Sequence, residues 1–116
     1  VEDDLFLAEL YQKKFEMEGF KVSMANNGAK AIVDIKKKKP DLVLLDILLP
    51  KLDGFSVLEA VKADASVKNI PIILLTNLGQ QDDVQRGLDK GAVDYLIKTH
   101  FKPSEVVDKG RKVLKI

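Results

Sequence analysis

At 116 residues, 46% of them hydrophobic and 32% charged, the chain has the size and composition of one globular domain, residues 1–116, with a core of its own. Nineteen basic and eighteen acidic side chains leave a formal charge of +1. No overall field then pulls the chain toward nucleic acid or a membrane, and neither is an expected partner. Cysteine is absent, which excludes disulfides, thiolate metal sites and cysteine nucleophiles. No apolar run nears the roughly 18 residues of a membrane span and no signal sequence opens the chain, so the cytoplasm is the default compartment.

Asp4 to Glu18 carries Leu5, Ala8, Tyr11 and Phe15 at helical spacing and meets a C-terminal stop at Gly19. Phe20 to Met24 is short and β-leaning; Asn26-Asn27-Gly28 then turns into a helical stretch, Ala29 to Lys38, ended by Pro40. Leu42 to Leu45 is a continuous apolar run, as a strand covered on both faces requires, and it delivers Asp46 at its end. Pro50, Asp53 and Gly54 break the following loop before a helix from Phe55 to Ala63. Pro71 to Leu75 is a second buried strand, ending on Thr76, and Gln81 to Asp89 is a helix stopped near Gly91. A short strand, Asp94 to Ile97, ends on Lys98, and Pro103 suits the first position of a last helix capped by Lys102 or a neighbour. Gly110 weakens a helix interior, which leaves Arg111 to Ile116 open to a strand reading, with helix the favoured one.

Strands separated by helices predict a parallel α/β sheet with right-handed crossovers and helices on both faces. Ligands of such sheets gather beyond the carboxyl ends of the strands. Three strands end on Asp46, Thr76 and Lys98, and a strand ending on Glu2 and Asp3 would add two carboxylates to the same rim. One convergent site of carboxylates, a hydroxyl and an ammonium follows from this pattern.

Four blocks stand in order: Val1 to Asp4, Pro40 to Gly54, Pro71 to Thr76 and Gly91 to Lys98. In residues and spacing they resemble the receiver domain of bacterial response regulators, over essentially the whole chain. The resemblance implies a flavodoxin-like, doubly wound (βα)5 fold with strand order 2-1-3-4-5, whose first strand would precede Val1. It implies a signalling switch of two-component systems rather than a conventional enzyme, one that catalyses its own phosphorylation and dephosphorylation. Asp46 would be the phosphoacceptor. Mg²⁺ would be held by Asp46, Asp3 and the backbone carbonyl of Leu48, with Glu2 acting through water. Lys98 would neutralise phosphoryl oxygens, and Thr76 would donate its hydroxyl to one of them. Tyr95 would turn inward as Thr76 moves. The implied partners are a sensor histidine kinase or phosphotransfer protein and a downstream target on the face formed by the fourth helix, fifth strand and fifth helix; a homodimer is a further option.

The chemistry accounts for these residue types. A carboxylate attacking a phosphoryl group approaches another anion, and a divalent cation bridging both offsets the repulsion. The run Lys36 to Lys39 reads as a solvated helix end that complements the dipole, and His100 reads as a bystander. The sequence departs from the family at three places besides the first strand. Thr99-His100-Phe101 lengthens the loop after Lys98, for which a trans bond at Thr99 is expected. Asn77 follows the switch threonine where a small residue is common, and Leu48 and Leu78 flank the approach to phosphorus. Two rivals remain: an interaction module of the same fold that never turns over phosphate, and a phosphatase working through an aspartyl phosphate. The intact Asp46, Thr76 and Lys98 argue against the first. Leu48, standing where a second acid is usual, argues against the second. A flavin site lacks an obvious phosphate loop, since Gly28 alone cannot serve.

Overall fold

A computed structural model describes residues 1–49, 52–77, 81–98 and 102–116. The chain forms α1 (Leu5–Met17), α2 (Gly28–Lys38), β1 (Val43–Asp46), α3 (Gly54–Lys62), β2 (Ile72–Thr76), α4 (Gln81–Asp89), β3 (Asp94–Ile97) and α5 (Pro103–Leu114). The helices begin where short polar side chains satisfy free backbone donors. Asp4 accepts from the Leu7 amide at 3.1 Å, Asn27 from Lys30 at 2.9 Å and Asp53 from Ser56 at 2.9 Å. Gly19, at φ +92°, takes the left-handed conformation that ends the first of them.

The sheet is parallel, in the order β1-β2-β3, with Asp46 opposite Leu75 and Thr76 opposite Ile97. Because side chains alternate along a strand, β2 divides its apolar residues between two cores. Ile72 and Leu74 join Val43, Leu45, Ala31, Ile35, Phe55, Leu58 and Val61 under α2 and α3. Ile73 and Leu75 join Leu96, Tyr11, Phe15, Val106 and Val107 under α1 and α5. Helices therefore cover both faces of the sheet, the arrangement that the apolar strand runs imply.

Two further segments extend the sheet sideways without forming strands. The Asp46 amide donates to the Val1 carbonyl at 3.0 Å, and the Val1 nitrogen donates to the Leu44 carbonyl. On the other side, the Glu2 amide donates to the Ala25 carbonyl at 3.1 Å. Laterally the order is thus the 20–25 segment, Val1-Glu2, β1, β2 and β3, in keeping with 2-1-3-4-5. The expected strand from Phe20 to Met24 is not formed: beside this segment the ladder has only the bond from Glu2 to Ala25 among the described residues.

Arg111 does not begin a strand: α5 continues to Leu114. A Cβ on Gly110 would lie 3.1 Å from Leu42 Cδ2 and 3.5 Å from Phe15 Cε1, so this glycine lets α5 seat closely over α1. That packing offsets the roughly 1 kcal/mol helix penalty that left the segment ambiguous in sequence. The altered loop at Thr99, His100 and Phe101 lies outside the described residues, as do Pro50 and Leu78.

Candidate functional site

Asp46 closes β1 and is 3% exposed, so its carboxylate must be satisfied by the protein itself. Oδ1 accepts from the Leu48 amide at 3.2 Å, and Oδ2 accepts from Lys98 Nζ at 2.7 Å. Lys98, the residue after β3, also lies 2.7 Å from Glu2 Oε2, reached as an ion pair off the hydrogen-bonding direction. Glu2 Oε1 accepts from the Asp4 amide at 3.1 Å. One carboxylate oxygen from each of Glu2, Asp3 and Asp46 lies within 4.8 Å of the others. Glu2 and Asp46 are buried and Asp3 is exposed, so the cluster opens to solvent on the Asp3 side.

Three carboxylates against the Lys98 ammonium leave two negative charges in this small volume. Burial pushes the Glu2 carboxyl above its usual range, and the Asp46 charge adds to the rise against the pull of Lys98. Burial alone would lower Lys98, but its bonds to Asp46 and Glu2 outweigh that and raise it. Seen from Lys98 the bridge is favourable; seen from Glu2 it falls short. Asp46 is the better-served partner, and Glu2 is the carboxylate that lacks compensating charge. An all-oxygen set with a double negative excess fits a hard divalent cation.

Thr76 ends β2, 1% exposed, with its hydroxyl donating to the Leu96 carbonyl at 3.3 Å. Tyr95 sits on β3 and is 39% exposed; its neighbour Asp94 is tied to Lys109 on α5 at 3.1 Å. Leu48 is exposed, with its amide turned to Asp46, and Asn77 is exposed beyond β2.

Three residues shape the site without having been singled out for it in the sequence. Tyr11, which the sequence places only at helical spacing on α1, has a hydroxyl pKa raised first by burial and next by the charge of Glu2. A Cβ on Gly28 would fall 2.0 Å from the Leu52 carbonyl oxygen, and one on Gly54 would fall 2.3 Å from that of Asp46. These two glycines let the loop after Asp46 fold back against the sheet, where the Gly54 amide donates to the Ile47 carbonyl at 2.8 Å. Only the turn character of Gly28 and Gly54 was visible in sequence, because the backbone they meet comes from distant positions.

Residues 1–110 match the response regulator receiver domain family. The chain is 37% identical to the DNA-binding dual master transcriptional regulator RpaA of Synechocystis sp., over 99% of this chain and 47% of the relative. It is 39% identical to the DNA-binding response regulator MtrA of Mycolicibacterium paratuberculosis, over 99% of this chain and 49% of the relative. The chain thus spans about half the length of these curated relatives. Among solved structures, a Francisella response regulator receiver domain superposes with TM-score 0.87 at 30% identity, covering 98% of this chain and 92% of that one. The receiver domain of sensor histidine kinase PA1611 from Pseudomonas aeruginosa, solved with a magnesium ion coordinated in its active site cleft, superposes with TM-score 0.87 at 29% identity, covering 97% of this chain and 91% of that one. Strand-end chemistry, flavodoxin-like architecture and these likenesses agree: the chain belongs to the response-regulator receiver domain family of two-component signalling.

Proposed function

We propose that Asp46 is the phosphoacceptor of this receiver and that Glu2, Asp3, Asp46 and the Leu48 carbonyl hold Mg²⁺ around it. The observation that carries the reading is the gathering of three carboxylates within 4.8 Å of one another, one of them the buried Asp46 paired to Lys98 at 2.7 Å. Bound there, Mg²⁺ supplies charge that lets one anion approach another. An Asp46 carboxylate oxygen forms the new P–O bond while the bond from phosphorus to its donor breaks. The donor, the imidazole of a histidine kinase or phosphotransfer protein or a small acyl phosphate, leaves with the electron pair. Lys98 passes from the carboxylate to the phosphoryl oxygens as a point charge.

Thr76 must give up the Leu96 carbonyl to donate to the same group. That exchange is the step that carries a chemical event into β3, where Leu96 adjoins Tyr95. The surface of α4, β3 and α5 would then change for a downstream target; RpaA and MtrA are named as DNA-binding regulators, and a DNA-binding region is one class of target.

The test is incubation with acetyl phosphate, with and without Mg²⁺, followed by mass spectrometry of the Asp46 peptide. Wild type is expected to gain one phosphoryl group only with the metal, and Asp46→Asn to gain none, because the amide is a poor nucleophile. Undiminished labelling of the variant would sink the assignment.

A further inference from the structure

Two separate sets of contacts hold the face formed by α4, β3 and α5. Asp94 on β3 is tied to Lys109 on α5 at 3.1 Å, and the Thr76 hydroxyl reaches the same strand at the Leu96 carbonyl. α4 is tied to α3 instead. Lys90, just past its end, forms an ion pair with Glu59, and the Arg86 guanidinium lies 4.3 Å above the Phe55 ring. A Cβ on Gly87 would stand 2.2 Å from Leu74 Cδ1 and 3.7 Å from Phe55 Cε1. Phe55 thus touches the underside of α4 at the glycine and its flank at the arginine.

Phe55 is in turn seated on the backbone of Asp46. It follows Gly54, whose own Cβ would fall 2.3 Å from the Asp46 carbonyl oxygen and 2.7 Å from Ile47 Cα. The Gly54 amide also donates to the Ile47 carbonyl at 2.8 Å. Nothing fits between these segments, so the first turn of α3 rides on the residues at and after Asp46. The Phe55 ring is buried, and an interior packed to crystal-like density passes a displacement on to its neighbours.

From this geometry we infer that the face is driven in two halves: Thr76 moves β3 and α5, whereas Phe55, through Gly87 and Arg86, moves α4. The inference rests on the reading of Asp46 as phosphoacceptor. A phosphoryl group on Asp46, with a cation on the Leu48 carbonyl, resets the backbone from Asp46 to Leu48. Gly54 follows that backbone, and Phe55 follows Gly54. Phe55 is therefore a positioning residue, and the cation over its ring makes α4 move with it. Because the two routes share only Asp46, one half can be disconnected while the other still responds.

The test uses Arg86→Gln and Arg86→Lys, at an exposed position where neither change disturbs the core. NMR shifts of the α4 amides and of Tyr95 are recorded before and after beryllofluoride, which stands in for the phosphoryl group, with Mg²⁺. Arg86→Gln is expected to keep the full Tyr95 change and to reduce the α4 change about two- to fivefold. Arg86→Lys, which returns a cation to the ring, is expected to recover part of it. Glu59→Gln, which removes the tie to Lys90, should act in the same direction as Arg86→Gln. A full α4 change in both Arg86→Gln and Glu59→Gln overturns the inference. So does a loss at Tyr95 in step with the loss at α4, since the face is then one unit. Absence of any beryllofluoride change in wild type, at Tyr95 as well as α4, overturns the phosphoacceptor reading and the two routes with it.

Discussion

Lys98 is shared between Asp46 and Glu2 at 2.7 Å each, and this makes it the residue with most to redistribute when charge arrives. Lys98→Ala is expected to retain Mg²⁺ binding, because the carboxylates remain and a competing cation is gone. The response to phosphorylation should be lost with the contact that stabilises the active arrangement. NMR shifts around Tyr95 before and after adding beryllofluoride with Mg²⁺ read this directly, and a full wild-type response in the variant refutes the role. Leu48 bears on lifetime instead. Its side chain is 53% exposed next to Asp46 and, being apolar, would offer no polar partner to a water approaching a phosphoryl group there. Leu78, outside the described residues, is apolar as well. Leu48→Asn together with Leu78→Glu is expected to speed loss of phosphate on the order of tenfold, about 1.4 kcal/mol of barrier. Mg²⁺ affinity should hardly move, since Leu48 would contribute only its carbonyl. Single-turnover decay of the labelled protein decides the point, and an unchanged rate would place control elsewhere.

The elements differ in how firmly they are seated. α3 buries Gly54, Phe55, Val57, Leu58 and Val61, whereas among the described residues of α4 only Gly87 is buried. α4 rests on Gly87, whose missing Cβ leaves room for Leu74 Cδ1, and on Arg86, which lies 4.3 Å above the Phe55 ring. Few buried contacts mean a low opening free energy, so α4 amides are expected to exchange at least about tenfold faster than those of α3. Equal protection would make α4 an unsuitable moving part. The turn after α3 depends on charge instead: Asp64 accepts from the Ser66 hydroxyl at 2.7 Å and the Ser66 amide at 2.9 Å. These bonds, the hydroxyl first, hold its carboxyl below the ordinary carboxylate range. A lowered folded pKa stabilises the fold above the unfolded value, and that stabilisation is lost as pH falls through the folded one. Melting curves of wild type and Asp64→Ala should therefore be furthest apart near neutral pH and converge in acid. A gap that widens in acid would reverse the sign.

For the molecule as a whole, what the sequence made legible was the set of strand ends. An apolar run followed by a polar residue identified Asp46, Thr76 and Lys98 because burial on both faces leaves little else for such a run to be. Gln81–Asp89 and Asp94–Ile97 fall where the periodicity puts them. Contacts between distant segments were not legible. Gly28 against Leu52, Gly87 against Leu74 and Gly110 against Leu42 are matters of lateral packing that no local pattern encodes. The Phe20–Met24 segment failed as a strand for a similar reason, since propensity supplies half a ladder and a neighbour supplies the rest.

The bond between Lys98 and Asp46 spans 52 positions of sequence, and Val1 reaches Leu44 across 43. A site held by such distant pairs has no local precursor: no single hairpin or helix contains enough of it to bind a cation. Closing loops of this length comes late and slowly in folding, so the acidic cluster should assemble with the completed sheet. A cation that recognises only this arrangement then shifts the global folding equilibrium, with a midpoint that rises with its concentration. The population able to accept a phosphoryl group would equal the folded population, and a partly unfolded receiver would be silent rather than misleading.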